Sequence, residues 1–224
     1  MTEPPDPRLR YWREEQLGGA VLAQARYGAH EFQRHVHDEM VIAVTEDGAG
    51  KVVTRQGSEV GDAGTVWVFA PGESHGGRVE GGRWFYRGFY LDAGALRTLA
   101  RFFDDGTEGG LFVPPGLYRD PQLARLLVSA QARLDGPAAL LQRQEAWFFA
   151  MGLLFGRYGR PRPRAGPSGR EPRGVAAARR LLHEQYRESI SIDDLAAVAG
   201  LSRYHLMRAF RREVGMPPHA YLNQ

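Results

Sequence analysis

Between residues 20 and 91 the apolar positions come in short or alternating runs, at 20–27, 40–45, 51–54, 66–70 and 84–91. Turn clusters separate them: Glu46-Asp47-Gly48, Arg55-Gln56-Gly57-Ser58, Gly61-Asp62-Ala63-Gly64, Pro71-Gly72 and Glu80-Gly81-Gly82. Short strands broken by Gly-rich turns at this spacing predict a sandwich or small barrel rather than a parallel sheet. The period then lengthens. Asp92 is placed to cap a helix to Phe103 with Leu96, Leu99, Ala100 and Phe103 on one face. Asp120-Pro121 opens a second helix, to Leu134, and Asp135-Gly136-Pro137 breaks it. A third helix, 138–155, carries Leu141, Trp147, Phe148, Met151, Leu154 and Phe155. The short turn between the last two predicts an antiparallel hairpin. Its surplus of apolar groups leaves two uses open: packing within the chain, or pairing of protomers in a homodimer through 121–134 and 138–155.

Residues 156–174 hold four prolines and six arginines among glycines and read as an inter-domain linker, with no regular element. Beyond it, 175–186 is amphipathic, with Ala178, Leu181 and Leu182 on one face. Ser191 is set to cap a short helix, 192–199, with Asp193 and Asp194 in its first turn. Gly200-Leu201 supplies a tight turn, and Ser202 caps 203–214, which stops at Gly215. Two helices joined this way match a helix-turn-helix.

Charge sharpens the division. Residues 1–156 carry 16 basic and 20 acidic side chains, whereas 157–224 carry 13 and 6, giving net −4 and +7. A basic tail on an acidic body points to a sensing or binding domain joined to one that meets a polyanion. In the helix at 203–214, Leu206, Ala209 and Phe210 fall on the side facing Leu195, Ala196 and Leu181. Tyr204, Met207, Arg208 and Arg211 fall on the other, an exposed stripe suited to a major groove. Arg208 is the candidate for a guanine edge and Met207 for a thymine methyl, with Arg203 and Arg212 on phosphates. The plain alternative is a helical hairpin with an ordinary charged surface.

The run from Ile190 to Leu222 resembles the first helix-turn-helix of the AraC/XylS transcription regulators. The resemblance rests on Leu195-Ala196, Gly200-Leu201-Ser202, His205-Leu206, Arg208, Phe210, Gly215, Pro218 and Tyr221-Leu222. It implies a bacterial regulator that binds double-stranded DNA at a promoter or operator, with Tyr204, Met207 and Arg208 facing the bases. Such regulators normally join two helix-turn-helix units by a long helix. Here Gln224 falls where that helix has only begun, so the expectation is a fragment or a truncated gene with one reader and about half the contacts.

The same family often carries an N-terminal cupin-like domain, and residues 15–156 resemble it. The matching phrases are Arg34-His35-Val36-His37-Asp38-Glu39, Asp47-Gly48, Gly64 and Pro71-Gly72-Glu73-Ser74-His75. On a strand His35, His37 and Glu39 point to one face, and His75 is placed to join them inside a barrel. Three readings are open: a pocket for a small-molecule effector, a divalent-metal site on His35, His37 and His75, or hydrogen-bonded residues of the barrel wall. Glu39 follows His37 more closely than the cupin metal motif wants. Trp67 and Tyr86 are further pocket candidates, with Val41, Phe69, Trp84 and Tyr90.

The chain lacks cysteine, which removes disulfides, thiolate metal sites and a thiol nucleophile and fits a reducing compartment. No apolar run approaches the ~20 residues of a membrane span. The acidic, Pro-rich start is unlike a signal peptide. No nucleophile elbow, P-loop, dinucleotide fingerprint or zinc-protease motif is present. The resulting expectation is a cytoplasmic, non-enzymatic regulator of α+β class. It has a cupin-like sensor and dimerisation domain at 15–156 with a helical hairpin, a linker at 157–174, and an all-α helix-turn-helix at 175–224. The rival is a metal-dependent cupin enzyme with a helical tail.

Overall fold

The alternating stretch supplies six strands of an antiparallel eight-stranded sheet in which two long strands do most of the joining; the other two come from residues 8–14 and 116–119. The computed structural model describes residues 8–103, 111–160 and 171–223; the Pro-rich start and the centre of the Gly/Pro-rich segment lie outside these. The strands are β1 (Arg8–Glu14), β2 (Ala20–Tyr27), β3 (Glu31–His35), β4 (Met40–Val53), β5 (Ser58–Asp62), β6 (Thr65–Phe69), β7 (His75–Leu91) and β8 (Gly116–Arg119). Their order is β1-β2-β7-β4-β6-β8, with β3 on β7 and β5 on β4. The first half of β4 pairs with β6 and the end of β7; its second half pairs with β5 and the start of β7. Register shifts between Thr45 and Asp47 and between Gly48 and Ala49 separate the halves, as bulges do where a sheet must bend. The turns expected at Glu46-Asp47-Gly48 and Glu80-Gly81-Gly82 are therefore irregularities within continuous strands.

One sheet face surrounds Val41, Ala43, Val52, Trp67, Phe69 and Trp84, with Phe32, Tyr86 and Tyr90 packed against them. Gly50 and Gly61 let the indoles lie flat: a Cβ there would stand 2.4 Å from Trp84 and 2.5 Å from Trp67 Nε1. The fully buried Gln131 donates to the carbonyls of Ala23 (3.1 Å) and Gly88 (3.0 Å), a cross-strand pair, and accepts from Arg87. Gln131 lies in α2 (Pro121–Asp135), which Asp120 caps through the Leu123 N–H.

The helices α1 (Ala93–Phe103), α3 (Leu140–Tyr158), α4 (Glu171–Glu184), α5 (Ile192–Ala199), α6 (Arg203–Val214) and α7 (Pro218–Leu222) complete the order. Asp92 caps α1 at the Ala95 N–H, Ser191 and Asp194 form a reciprocal capping box on α5, and Ser202 caps α6. Gly200 closes α5 in the left-handed region (φ 61°), as the turn requires. Residues 171–174, expected in the linker, instead form the first turn of α4. Pro172 suits that turn because it needs no N–H donor there, buried Glu171 accepts from Arg212 at 2.6 Å, and a Cβ on Gly174 would meet Ala199 O at 2.7 Å.

By its contacts the chain divides into Met1–Leu96 with Val113–Gln131, and Arg97–Phe112 with Ala132–Gln224. The two helices of the expected hairpin thus fall mainly in different units. In the second unit α3 joins the helix-turn-helix through polar side chains: Gln144 Oε1 accepts from the Ile192 N–H (2.9 Å), and buried Glu145 accepts from the His219 N–H (2.9 Å) and pairs with its imidazole. Among the described residues no helix is long and apolar enough to cross a membrane.

Candidate functional site

Within the sheet lies a cavity of about 150 Å³ lined mainly by rings, among them Tyr27, Phe32, Trp67, Trp84, Tyr86 and Tyr90. His35, His37 and His75 form its polar end, one ring nitrogen of each lying within 4.8 Å of the others. His35 ends β3 and faces His75, which opens β7, as a cross-strand pair. His37 lies beyond β3 rather than on it. Its carbonyl accepts from the Gly72 N–H at 2.7 Å, which ties it to the turn before His75. Glu73 folds that turn by accepting from the Ala70 N–H (3.0 Å).

The expected His35–His37–Glu39 face is only partly realised. Glu39 does not line the cavity, because the chain leaves the strand after His35 and strict alternation ends there. Trp67 and Tyr86 line it as expected, and so do Val41, Phe69, Trp84 and Tyr90. Tyr11, Tyr27 and Phe32 line it too, although no sequence signal points to them. Phe32 and His35 have opposite parity, yet a register shift between them turns both to the cavity.

Among the described residues no Lys, Arg, Asp or Glu lines this space. Burial, with the neighbouring imidazoles, pulls His75 down to about 4 against the hydrogen bond to Glu73, and His37 is lowered by burial and by His35, against Glu39. Burial raises the phenols of Tyr27, Tyr86 and Tyr90. Near neutral pH His37 and His75 are therefore neutral, as are these three phenols. The Nδ1 atoms of His35 and His75 point at the carbonyls of Gln33 (2.8 Å) and Glu73 (3.0 Å). Because a carbonyl can only accept, those nitrogens carry the proton, and in the neutral rings Nε2 keeps its lone pair. That donor set suits a borderline divalent ion such as Zn²⁺.

The second gathering is α6. Leu206 and Phe210 are fully buried, as the spacing predicts. The opposite face departs from expectation: it is not an open stripe. Met207 is 7 % exposed, and the Tyr204 ring stands 5.9 Å from that of Phe102 and 5.2 Å from that of Phe103. Tyr and Met are the apolar members of the stripe, and the ends of α1 and α3 give them rings to cover. Arg203 lies over Phe148 and pairs with Asp193, while Arg212 pairs with Glu171. Arg208 and Arg211 are exposed over the rings of Tyr204 and Phe149, and neither pairs with a carboxylate among the described residues.

The AraC-like ligand binding domain model matches residues 17–151, and the model of bacterial regulatory helix-turn-helix proteins of the AraC family matches 182–223. The chain is similar to the uncharacterized HTH-type transcriptional regulator YbfI of Bacillus subtilis (strain 168), at 23% identity over 194 residues, covering 86% of this chain and 70% of that protein. Among solved structures it is similar to a cupin 2 conserved barrel domain protein from Leptotrichia buccalis. There identity is 11% and TM-score 0.37, over 41% of this chain and 44% of the other. It is also similar to an oxalate decarboxylase variant from B. subtilis, at 20% identity and TM-score 0.33, over 38% of this chain and 25% of that one.

Proposed function

The chain belongs to the AraC family of bacterial regulators, and from that premise we propose a division of labour between its two sites. A ligand-sensing cupin domain carried with an AraC-type helix-turn-helix makes this a DNA-binding transcriptional regulator. The sensed molecule is a small, uncharged compound of about one aromatic ring, since a cavity near 150 Å³ holds a benzene-sized guest. The observation that carries this reading is the ring-rich wall, which offers stacking area and polar ring atoms but, among the described residues, no carboxylate, ammonium or guanidinium. His35, His37 and His75, with Tyr86, orient the guest's polar group; Trp67 and its neighbours supply the apolar contact.

On the DNA side, Arg208 reads a base edge with Tyr204 and Met207 beside it, and Arg203, Arg211 and Arg212 meet phosphates. Effector binding shifts the population of DNA-competent molecules. The protein works in the cytoplasm without catalysing a reaction. It acts as a homodimer through α2 and α3.

A second reading is favoured by the histidine tautomers: the three imidazoles hold a divalent metal as the effector or as part of its site. A thermal-shift screen of small aromatic compounds and divalent metals separates the two, since a ligand of the native state raises its apparent stability. Stabilisation by ring compounds in the presence of a chelator supports the first reading. Stabilisation by metal alone supports the second.

A further inference from the structure

The face of α6 assigned to base contacts is covered by helices of its own unit. Tyr204 lies over Gly152 of α3, where a Cβ would stand 3.2 Å from its Cε2 and 3.4 Å from its Cδ2; only a glycine leaves the ring that seat without displacement. Phe102 closes the seat from α1 and stacks on Phe148 at 4.2 Å. Met207 lines a hollow with Phe148, Phe149 and Leu153 beside it. Arg203 lies over Phe148, and Arg211, though exposed, over Phe149. At each end of the helix-turn-helix a polar residue of α3 fastens the arrangement, Gln144 at the start of α5 and Glu145 at the start of α7. A helix with its side chains is about 10 Å across and fills most of a major groove some 12 Å wide, so α3 and a duplex cannot share this face of α6.

We propose that this arrangement is an autoinhibited state, in which α3 and the end of α1 occupy the DNA-reading face of α6, and that duplex DNA binds only after α6 leaves the Gly152 seat. The inference rests on α6 being the reading helix. The contact is built to release. A hollow of about 200 Å³ remains beside Tyr204, so the face is covered without close packing, and Arg208 stays exposed at its edge, where an approaching phosphate meets it first. The apparent affinity for DNA then equals the intrinsic affinity scaled by the open fraction.

The test uses the full chain and a fluorescein-labelled duplex recovered by selection from a random-sequence pool. Gly152→Leu fills the seat, and Gly152→Ala, which favours the helix and adds one methyl against the ring, does so mildly. Both variants bind the duplex more tightly, Gly152→Leu by about tenfold or more, and adding Arg208→Ala removes the gain. Because the chain has no cysteine, Met207→Cys gives a single thiol. Its alkylation is slow in the parent background and faster with Gly152→Ala or Gly152→Leu. Unchanged DNA binding in both Gly152 variants, with Arg208→Ala still weakening it, overturns the autoinhibition and leaves α6 as the reader. Binding that responds to none of these changes overturns both. Equal alkylation rates in all backgrounds overturn the covered state itself.

Discussion

His35 and His75 face each other across β3 and β7 with ring centroids 4.5 Å apart, and each points Nδ1 at a backbone carbonyl two residues earlier in the chain. In the neutral rings this fixes the tautomer and leaves Nε2 as the basic nitrogen, the atom with which imidazole receives either a hydrogen bond or a metal.

Stability should depend on His75 at mildly acidic pH. Its folded-state pKa, about 4, lies below the ordinary 6.5. Between these values the unfolded chain binds a proton that the folded chain refuses, so the contribution is complete above pH 6.5 and is lost as pH falls towards 4. After allowance for screening at the cavity mouth the loss is on the order of 1–2 kcal/mol. Urea titrations at pH 7 and pH 4.5 check this: His75→Gln should flatten the difference, and an equal pH response in both proteins contradicts it.

Under the metal reading, Zn²⁺ should raise the thermal midpoint of the parent at pH 7.5 and leave His35→Ala unmoved. The shift should fade at pH 4, where a proton competes for the His75 nitrogen. Isothermal titration at the two pH values gives the stoichiometry; binding that survives His35→Ala locates the ion elsewhere.

Filling the cavity should remove sensing while keeping the fold. Ala43 is 6 % exposed and lines the space between Val41 and the aromatic wall. Ala43→Leu occupies part of that room at a cost of about 1–3 kcal/mol if neighbours must shift, and less if they need not. Any ring compound that stabilises the parent should give no thermal shift in this variant, and a retained shift would move the effector site.

Removing the Gln144 acceptor should destabilise the C-terminal unit. Gln144→Ala leaves the buried Ile192 N–H without its partner, a loss of about 1–3 kcal/mol, whereas Gln144→Glu keeps an acceptor and recovers part of it. Hydrogen exchange at Ile192, fast in the first variant and slow in the second, reads the effect directly.

Much of this architecture was legible in the sequence because it is local. Ser191, Asp194, Gly200, Ser202 and Gly215 mark the ends of α5 and α6, and the structure uses each as a cap or a left-handed turn. Trp67, Phe69, Trp84, Tyr86 and Tyr90 of the aromatic wall were legible as strand residues facing a pocket, whereas Tyr11, Tyr27 and Phe32 were not. What alternation could not give were the places where it breaks: the shift between Phe32 and His35, and the exit from the strand before His37, which took Glu39 out of the cavity. Nor could spacing tell what covers a helix face. Tyr204 and Met207 lie opposite Leu206 and Phe210 as periodicity says, but Gly152 and Phe148, more than fifty residues earlier, determine that the face is not open. Gln144 and Glu145 carried no local sign of their role, since their partners, Ile192 and His219, are distant in the chain.

The central claim is that α6 reads DNA through Arg208. A duplex recovered by selection from a random pool, titrated by fluorescence anisotropy against the parent and Arg208→Ala at one salt concentration, tests it most directly. The account predicts a loss of about 1–3 kcal/mol, roughly five- to 150-fold, for the selected duplex and a much smaller loss for a scrambled one. Equal affinity of both proteins for the selected duplex would contradict it.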